Sequence, residues 1–462
     1  MNCLLNFSTP QLQKIHAGKV RDSVKIDAHS RLIVVTDRLS AFDRVLKTPI
    51  PHKGAVLNGI SNFWFEKTKH LIENHFLKAI DPNMTVVREA APIRVEMVVR
   101  GYLTGSMWRG YKEGKREFSG VRVSDGMTRN QKFTQPLVTP TTKEKNDREI
   151  SPADLVREGW TDQETYAEME TIALELFNFG TQYLEERGIV LVDTKYEFGV
   201  MNGEIILIDE IHTPDSSRFW RLKDYQENRE HVEQIDKEYV RQWLLTHQVN
   251  HEYPETLPED VVQETSRRYL EIFEMITGRA LDVGDMPSIN ARICQNLVKE
   301  GMIKDGYIAI VMGSPSDLDH CRKIATYINQ YGIMTDLRVV SAHKNGEGIA
   351  ALAQEYNASI EPGAVIAVAG RSNGLGGALA ANLNIPVISC PPFKDTADML
   401  TNVNSSLMMP SQTPAATVVH PDNAAYAALR SLNLYRLRDM FSQEIVEMKM
   451  ALNKADQEIR GR

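Results

Sequence analysis

The sequence predicts two domains, an α+β domain followed by an α/β domain layered as helices, parallel sheet and helices. Three observations lead there. At 462 residues the chain exceeds what one hydrophobic core organises. Its first part mixes β-branched runs and a strong hairpin signal with long amphipathic helices, the mark of an α+β fold. From Tyr307 onward, short apolar runs alternate with helical stretches, as in a parallel sheet covered on both faces. The expected boundaries are 1–282 for the first domain, 283–305 for a linker, 306–434 for the second domain and 435–462 for a C-terminal helix.

In order along the first domain, "RLIVVTD", "TVVREA" and "IRVEMVVRGYL" are β-branched runs separated by turns and read as strands. A helix is expected over about 162–187, where Met169, Ile172, Leu176, Phe179 and Tyr183 recur at spacings of three and four. Next comes "LVDTKYEFGVMNGEIILIDE", residues 191–210, with Asn202-Gly203 as a hairpin turn between strands 191–201 and 204–210. Helices follow around 228–247 and 258–276. The stretch "TGRALDVGDMPSINARICQNLVKEGMIKDG" has weak periodicity and serves as the linker region.

In the second domain, "YIAIVMG", "TDLRVVSAH", "AVIAVAG" and "IPVISCP" are each followed by Gly, Ser or Asn and then by a helical stretch, a flavodoxin- or Rossmann-like alternation. A last helix over about 434–459 puts Leu437, Phe441, Ile445, Met448 and Leu452 on one stripe. That stripe packs on its own domain or docks on a neighbouring subunit.

Composition narrows the function. With 42% apolar and 25% charged residues the chain has an ordinary globular balance. No run reaches the roughly 18 uncharged apolar residues of a membrane span, and the N-terminus lacks the pattern of a cleaved leader, so a cytoplasmic location with no membrane partner is expected. A net charge of -8 disfavours a general nucleic-acid binder. Cys3, Cys294, Cys321 and Cys390 form no CxxC pair and read as reduced thiols.

The hairpin concentrates charge on a strand pair that is otherwise apolar. Side-chain alternation sets Asp193, Lys195 and Glu197 on one face, while Ile205 to Ile208 are apolar on both parities and imply burial on both sides. A two-residue turn would put Asp209 opposite Tyr196, on the other face; a three-residue turn would put it opposite Lys195. Charged strand faces are commonly solvated, but buried carboxylates without partners are costly, so a buried cluster needs a cation. Glu197 and Asp209 beside Lys195 are candidate ligands for Mg²⁺ and the phosphates it carries. Upstream, "HAGKVRDS" offers Gly18 for close backbone approach with Lys19 and Arg21 alternating onto one side. "TPTTK" ends in Lys143, and "TPDSSRFW" groups Asp215, Ser217 and Arg218, suited to a substrate bearing carboxylate and phosphate.

Together "GKVRD", "TDRLSAFD", "HKGAVLN", "EMVVRGYLTGS", "TPTTK", "LVDTKYEFG" and "LIDEIHTPDSSRFW" resemble phosphoribosylaminoimidazole-succinocarboxamide (SAICAR) synthetase over residues 10–280 or so. "LPEDVVQETSRRYLEIFEMITG" resembles the family's C-terminal helix. The resemblance implies a two-lobed α+β fold with ATP between the lobes. It also implies an ATP-dependent ligase joining aspartate to the carboxylate of carboxyaminoimidazole ribotide through an acyl phosphate. Carried over by motif, Lys19 and Arg21 would touch ATP phosphates, and Glu197 and Asp209 would hold Mg²⁺. Arg100, Ser106, Lys143, Asp215, Ser217 and Arg218 would bind substrate, with Asp193 and Lys195 as catalytic residues among them.

In the second domain, "MGSPSDLDHCRKIA" is a strand, a turn and a helix that Ser316 or Asp317 can cap, which offers amides to a phosphate or ribose. "VVSAHK" and "AVAGRSNGLGG" leave His343, Lys344, Arg371, Ser372 and Asn373 at strand ends, where parallel sheets bind ligands. Each feature alone has a plainer reading as packing or capping. "GLGGAL" does not match the dinucleotide fingerprint and follows the third strand instead of the first. "MGSPSD", "SAHK", "AVAGRSNG", "PVISCPP" and "SSLMMPS" resemble phosphoribosylaminoimidazole (AIR) carboxylase of the class that uses CO2 directly. This resemblance implies His343 as proton shuttle, with Ser314, Ser316 and Asp317 on ribose and phosphate. Ser341, Lys344, Gly370, Arg371, Ser372 and Asn373 would surround CO2 and the new carboxylate, and no cofactor is implied. Met408 and Gln412 stand where the pattern has Arg and Gly.

The order of the two parts resembles the bifunctional animal enzyme, with aminoimidazole ribotide, CO2, L-aspartate and ATP as small-molecule partners and a homo-oligomer, an octamer by resemblance. The rival readings are a small-molecule kinase with a regulatory module, and an active synthetase fused to a degenerate, mainly oligomerising carboxylase-like domain.

Overall fold

The computed structural model describes residues 2–461 except 43, 145, 146, 231, 233–237, 251 and 371–373. The chain divides into two compact units, Met1–Leu5 with Lys14–Ile289, and Asn6–Gln13 with Asn290–Arg462. Among the described residues no helix is long and apolar enough to cross a membrane.

The first unit contains two antiparallel sheets. Lys14–Ala17 (β1), Arg21–Lys25 (β2), Ser30–Val35 (β3), Phe76–Asp81 (β4) and Met84–Arg88 (β5) run in the order β1-β2-β3-β5-β4. Helix Lys53–Thr68 (α1) lies against them and buries Val56, Ile60 and Trp64. The second sheet has the path β9-β8-β6-β10-β11, made of Ala91–Tyr102 (β6), Thr141–Thr142 (β8), Arg148–Glu149 (β9), Ile189–Met201 (β10) and Glu204–Ile208 (β11). Lys132–Val138 (β7) also pairs with β6, and Ser217–Arg221 (β12) with β10. Helix Gly105–Lys112 (α2) follows β6 directly.

Helix Gln163–Glu185 (α3) covers one face of the second sheet, and the Asp162 side chain caps it by accepting the Thr165 amide at 2.8 Å. Its buried face is centred on Met169, Ala173, Leu176 and Gly180, so Ile172, Phe179 and Tyr183 flank the buried stripe and are only partly covered. Among the described residues, the helix expected over about 228–247 is present at Glu238–Thr246 (α4). A short helical turn at Leu222–Glu227 stops at Asn228, whose φ of -150° is extended, and residues 231 and 233–237 lie outside those described. Helix Glu259–Thr277 (α5) ends on left-handed Gly278 and packs on α1.

The second unit is a parallel sheet of Tyr307–Met312 (β13), Met334–Val339 (β14), Gly363–Val368 (β15), Val387–Ser389 (β16) and Ala415–Thr417 (β17), in the order β14-β13-β15-β16-β17. Alternation along β13 sorts the core into two layers. Ile308, Ile310 and Met312 pack with Cys321, Ile324 and Ile328 of helix Leu318–Asn329 and with Ala424 and Ala428 of helix Pro421–Ser431. Tyr307, Ala309 and Val311 face Leu352 and Tyr356 of helix Glu347–Asn357 and Leu375 and Leu379 of helix Gly374–Asn382. Within the expected linker lies a helix, Ile289–Lys299. The C-terminal helix Tyr435–Ile459 buries Leu437 and Phe441, whereas Ile445, Met448 and Leu452 are 39%, 56% and 65% exposed.

The N-terminal segment contributes to both units. Leu4 exchanges backbone-linked bonds with Asp37 in the first unit, donating its amide to Oδ2 at 2.7 Å. In the second, the Ser8 carbonyl accepts the Ile360 amide at 3.1 Å, Thr9 bonds Glu361, and the Gln11 amide group pairs with the backbone of Lys304 at 2.8 and 2.9 Å. The four cysteines are free thiols.

Candidate active sites

The hairpin turn at Asn202-Gly203 has φ of 55° and 87°, the two-residue type with both central residues left-handed. The register therefore runs from Met201↔Glu204 to Glu197↔Ile208, which would carry Asp209 to the face of Tyr196 if the strand continued. It does not continue. β11 stops at Ile208, and Asp209 adopts a left-handed φ of 67°, which releases its side chain from strand alternation. Asp209 lies close enough to Glu197 for the two carboxyl groups to interact, and each feels the charge of Lys195 and Lys143. The assumption that the turn length alone decides where Asp209 points is thus corrected: a backbone kink decides it.

On that face, Asp193 and Glu197 of β10 stand opposite Arg100 and Glu96 of β6. Asp193 accepts one hydrogen bond from Arg218 at 3.0 Å on Oδ1, its Oδ2 stands 2.9 Å from the same guanidinium as an ion pair, and it lies 3.8 Å from Arg100. Lys195 donates to Glu96 at 2.9 Å and is 3.8 Å from Glu197, which Lys143 also reaches. Arg21 of β2 donates to Asp209 at 2.6 Å and pairs with Glu210. Among the described residues these ion pairs join four acids, Glu96, Glu197, Asp209 and Glu210, to three cations, Arg21, Lys143 and Lys195, one fewer cation than acids.

The mismatch registers on Glu197. Burial, and then the charge of Asp209, push its carboxyl up to about 8 despite both lysines. Glu96 is buried too, yet Lys195 holds it below its usual range. For Asp209 burial is likewise outweighed, chiefly by Arg21, and its carboxyl lies well below the usual range. A divalent ion would fit this donor set. Its ligands are hard carboxylate oxygens, and the Glu197 carboxyl stays raised despite Lys143 and Lys195. Among the described residues no three His, Cys, Asp or Glu side chains form a ready cage. Mg²⁺ is commonly held by one or two carboxylates together with substrate phosphates, so two carboxylates suffice.

Lys19 sits in the exposed turn Gly18–Val20 between β1 and β2. Gly18 is needed there because its amide bonds the Arg21 carbonyl at 2.7 Å and a Cβ would stand 2.6 Å from that oxygen. Asp215 is held by Lys53 at 2.9 Å and Tyr269 at 3.1 Å, and Ser217 donates to Thr194 at 2.7 Å. Arg218 links the acidic face to a basic cavity of about 720 Å³ at the start of α2, where it meets Ser106, Arg109, Arg129 and Arg241. Gly105, left-handed at φ 58°, admits the guanidinium, which a Cβ would overlap. A larger cavity of about 900 Å³, between α1, β4 and the end of α5, contains none of the predicted site residues.

Sequence reasoning left out Glu96, Lys53, Glu210, Arg129 and Arg241. Glu96 had a signal, since it shares the parity of Arg100 on one strand. Arg129 and Arg241 had none, because tertiary folding alone brings them to Ser106.

In the second unit Ser314, Ser341 and Gly370 follow β13, β14 and β15, three adjacent strands whose ends align at Met312, Val339 and Val368. The cap differs from expectation. Ser314, not Ser316 or Asp317, is the capping side chain, accepting the Ser316 amide at 3.3 Å, and Asp317 makes no cap bond. Burial raises the Asp317 carboxyl. Exposed His343 packs its ring over Gly374, where a Cβ would lie 3.0 Å away, and Lys344 is exposed beside it. Arg371, Ser372 and Asn373 lie outside the described residues. Met408 is 85% exposed, and Gln412 has φ 63°, a conformation that favours the glycine expected there.

Comparison with known proteins matches residues 14–259 to the family model described as SAICAR synthetase and residues 307–454 to that described as AIR carboxylase. The chain is 44% identical over 302 residues to phosphoribosylaminoimidazole-succinocarboxamide synthase of Bacteroides fragilis, covering 63% of this chain and 96% of that one. With the Legionella pneumophila protein of the same name it shares 42% over 307 residues, 64% of this chain and 97% of the relative. Among solved structures, SAICAR synthase of Saccharomyces cerevisiae complexed with SAICAR is 32% identical, covers 60% of this chain and 99% of its own, and has a TM-score of 0.55.

Proposed function

Because the chain belongs to the SAICAR synthetase family and continues into an AIR carboxylase domain, both of purine biosynthesis, we propose that it is a bifunctional enzyme whose second domain makes the substrate of the first. In this reading the C-terminal domain adds CO2 to C4 of aminoimidazole ribotide. The N-terminal domain then joins the new carboxylate to L-aspartate with ATP, releasing SAICAR, ADP and phosphate.

A carboxylate resists attack by an amine, because its charge repels the nucleophile and oxide is a poor leaving group. Forming a bond from the γ-phosphorus to a carboxylate oxygen while the bond to ADP breaks converts that oxygen into a phosphate leaving group. The aspartate nitrogen then attacks the acyl carbon, loses a proton and expels phosphate. Lys19 and Arg21 would bind the ATP phosphates, and Glu197 and Asp209 would hold Mg²⁺, which neutralises charge spread over the transferred group. Lys195 would stabilise charge at the reacting carboxylate. Asp193 would orient Arg218 and Arg100 against the nucleotide, an assignment supported by its hydrogen bond and ion pair with Arg218. Ser106 with Arg218 at the mouth of the basic cavity suits the ribotide phosphate. Lys143, Asp215 and Ser217 complete the substrate set.

In the carboxylase half the exocyclic amine makes C4 nucleophilic, C4 bonds to CO2, and the C4 proton leaves to the His343 imidazole, which acts as general base. Ser314, Ser316 and Asp317 would take ribose and phosphate. Ser341, Lys344, Gly370, Arg371, Ser372 and Asn373 would surround CO2, and this half is assigned no cofactor. A homo-oligomer, an octamer by resemblance, in the cytoplasm completes the reading.

The acidic face, with four acids paired to three cations among the described residues, carries the synthetase half. The test is ATP hydrolysis in the presence of aminoimidazole ribotide, bicarbonate and aspartate, omitting each in turn. Phosphate release should require all three, and release without aspartate would sink the ligase reading. A second reading, a carboxylase-like domain that only oligomerises, is favoured by exposed Met408 and by Gln412 in a glycine conformation. It predicts ligation of supplied carboxyaminoimidazole ribotide but none from aminoimidazole ribotide and bicarbonate.

A further inference from the structure

Beyond the residues assigned above, the loop from Asp209 to Ser217 is anchored from behind by a pair that touches neither face of the acid cluster. Tyr196 lies between Lys195 and Glu197 on β10, and its side chain points the opposite way, into the core under α3. There its hydroxyl meets Nε2 of His212 at 2.5 Å, with both side chains fully buried. The His212 ring stands edge-on to Trp64, with ring centres 4.6 Å apart, and lies over Gly180 of α3, where any Cβ would overlap it. Nδ1 has no hydrogen-bond partner among the described residues.

His212 has φ 47° and Asp209 has φ 67°, two left-handed non-glycine residues three apart in the loop that supplies Asp209, Glu210 and Asp215. Such a conformation costs about 1 kcal/mol or more per residue and persists where the surroundings over-determine it. The seat of the His212 ring provides that determination. A pin needed only for packing would be apolar. Burying a tyrosine hydroxyl and an imidazole, one nitrogen of which is left without a partner, makes sense where direction matters as well as volume.

We propose that the Tyr196–His212 bond is a positioning device that fixes the left-handed loop so that the Asp209 carboxylate stands beside Glu197 for the divalent cation. The proposal rests on the metal role given above to Glu197 and Asp209. Tyr196 thereby couples the two ligands, because one strand carries Glu197 on its front and the loop's anchor on its back. Residues behind metal ligands typically change affinity by about 10- to 100-fold when removed.

The experiment uses the full chain and two variants. Tyr196→Phe keeps the ring and deletes the hydroxyl. His212→Asn keeps a residue that tolerates left-handed backbone and deletes the ring. Mn²⁺ is titrated in the presence of ADP by electron paramagnetic resonance, per folded molecule as measured by circular dichroism. Both variants should bind Mn²⁺ about tenfold more weakly, and a role in packing alone would lower thermal stability and leave that affinity unmoved. Wild-type Mn²⁺ affinity in Tyr196→Phe would overturn the proposal, whatever His212→Asn does. Asp209→Asn separates the premise: if it also binds as wild type, the metal assignment fails and the positioning role falls with it. If Asp209→Asn weakens binding and Tyr196→Phe does not, only the positioning role falls.

Discussion

Relative to the unfolded chain, folding favours the protonated form of Glu197. Its carboxyl is moved from 4.5 to about 8 by burial first and then by Asp209. A raised carboxyl stabilises the fold fully below the unfolded value and loses that contribution as pH rises through about 8. Glu96, held low, acts in the opposite sense and in a lower window, so the two do not cancel. In metal-free protein, the Glu197 contribution to the thermal midpoint should therefore fall between pH 4.5 and about 8 and stay level above that. Glu197→Gln should flatten that fall and be more stable than wild type by about 1 kcal/mol near pH 8.5, while ligation is lost and carboxylation kept. His343→Asn should do the reverse to the two activities, and equal damage to both from either change would argue against independent sites. Gln412→Gly relieves a left-handed side chain and should stabilise the second unit by about 1 kcal/mol in thermal denaturation.

At the scale of elements, Gly105 separates fold from chemistry. A Cβ there would both strain φ 58° and displace the Arg218 guanidinium. Gly105→Ala should raise the KM for the ribotide in ligation at least about tenfold, roughly 1.4 kcal/mol of lost binding, and steady-state kinetics of the two reactions would show carboxylation unaffected. The elements themselves were largely legible. Asn202-Gly203 announced the hairpin, and the continuous apolar run of β13 followed by a helical stretch announced two covered faces, because both follow from local residue pattern. Asp209 was not legible by parity, since alternation holds only while the strand lasts and the kink is set by packing behind it. The shifted stripe of α3 has a related origin: periodicity locates an amphipathic stretch but not which of its residues meet a neighbour. Arg129 and Arg241, far apart in sequence, reach Ser106 only through the tertiary fold.

On the scale of the whole molecule, the two family matches begin at residues 14 and 307, and the segment before the first match carries no periodicity to read. Its role emerges only in three dimensions, where Ser8, Thr9 and Gln11 bond Ile360, Glu361 and Lys304. Replacing Thr9 and Gln11 together by Ala should lower the melting transition of the carboxylase unit and spare that of the synthetase unit, as followed by hydrogen exchange in each. The same segment alters what dissection of this enzyme can mean. A recombinant half begun at residue 283 is not a domain cut free but a domain missing a piece of itself. A feeble carboxylase from such a clone would testify to the scissors before it testified to the catalyst.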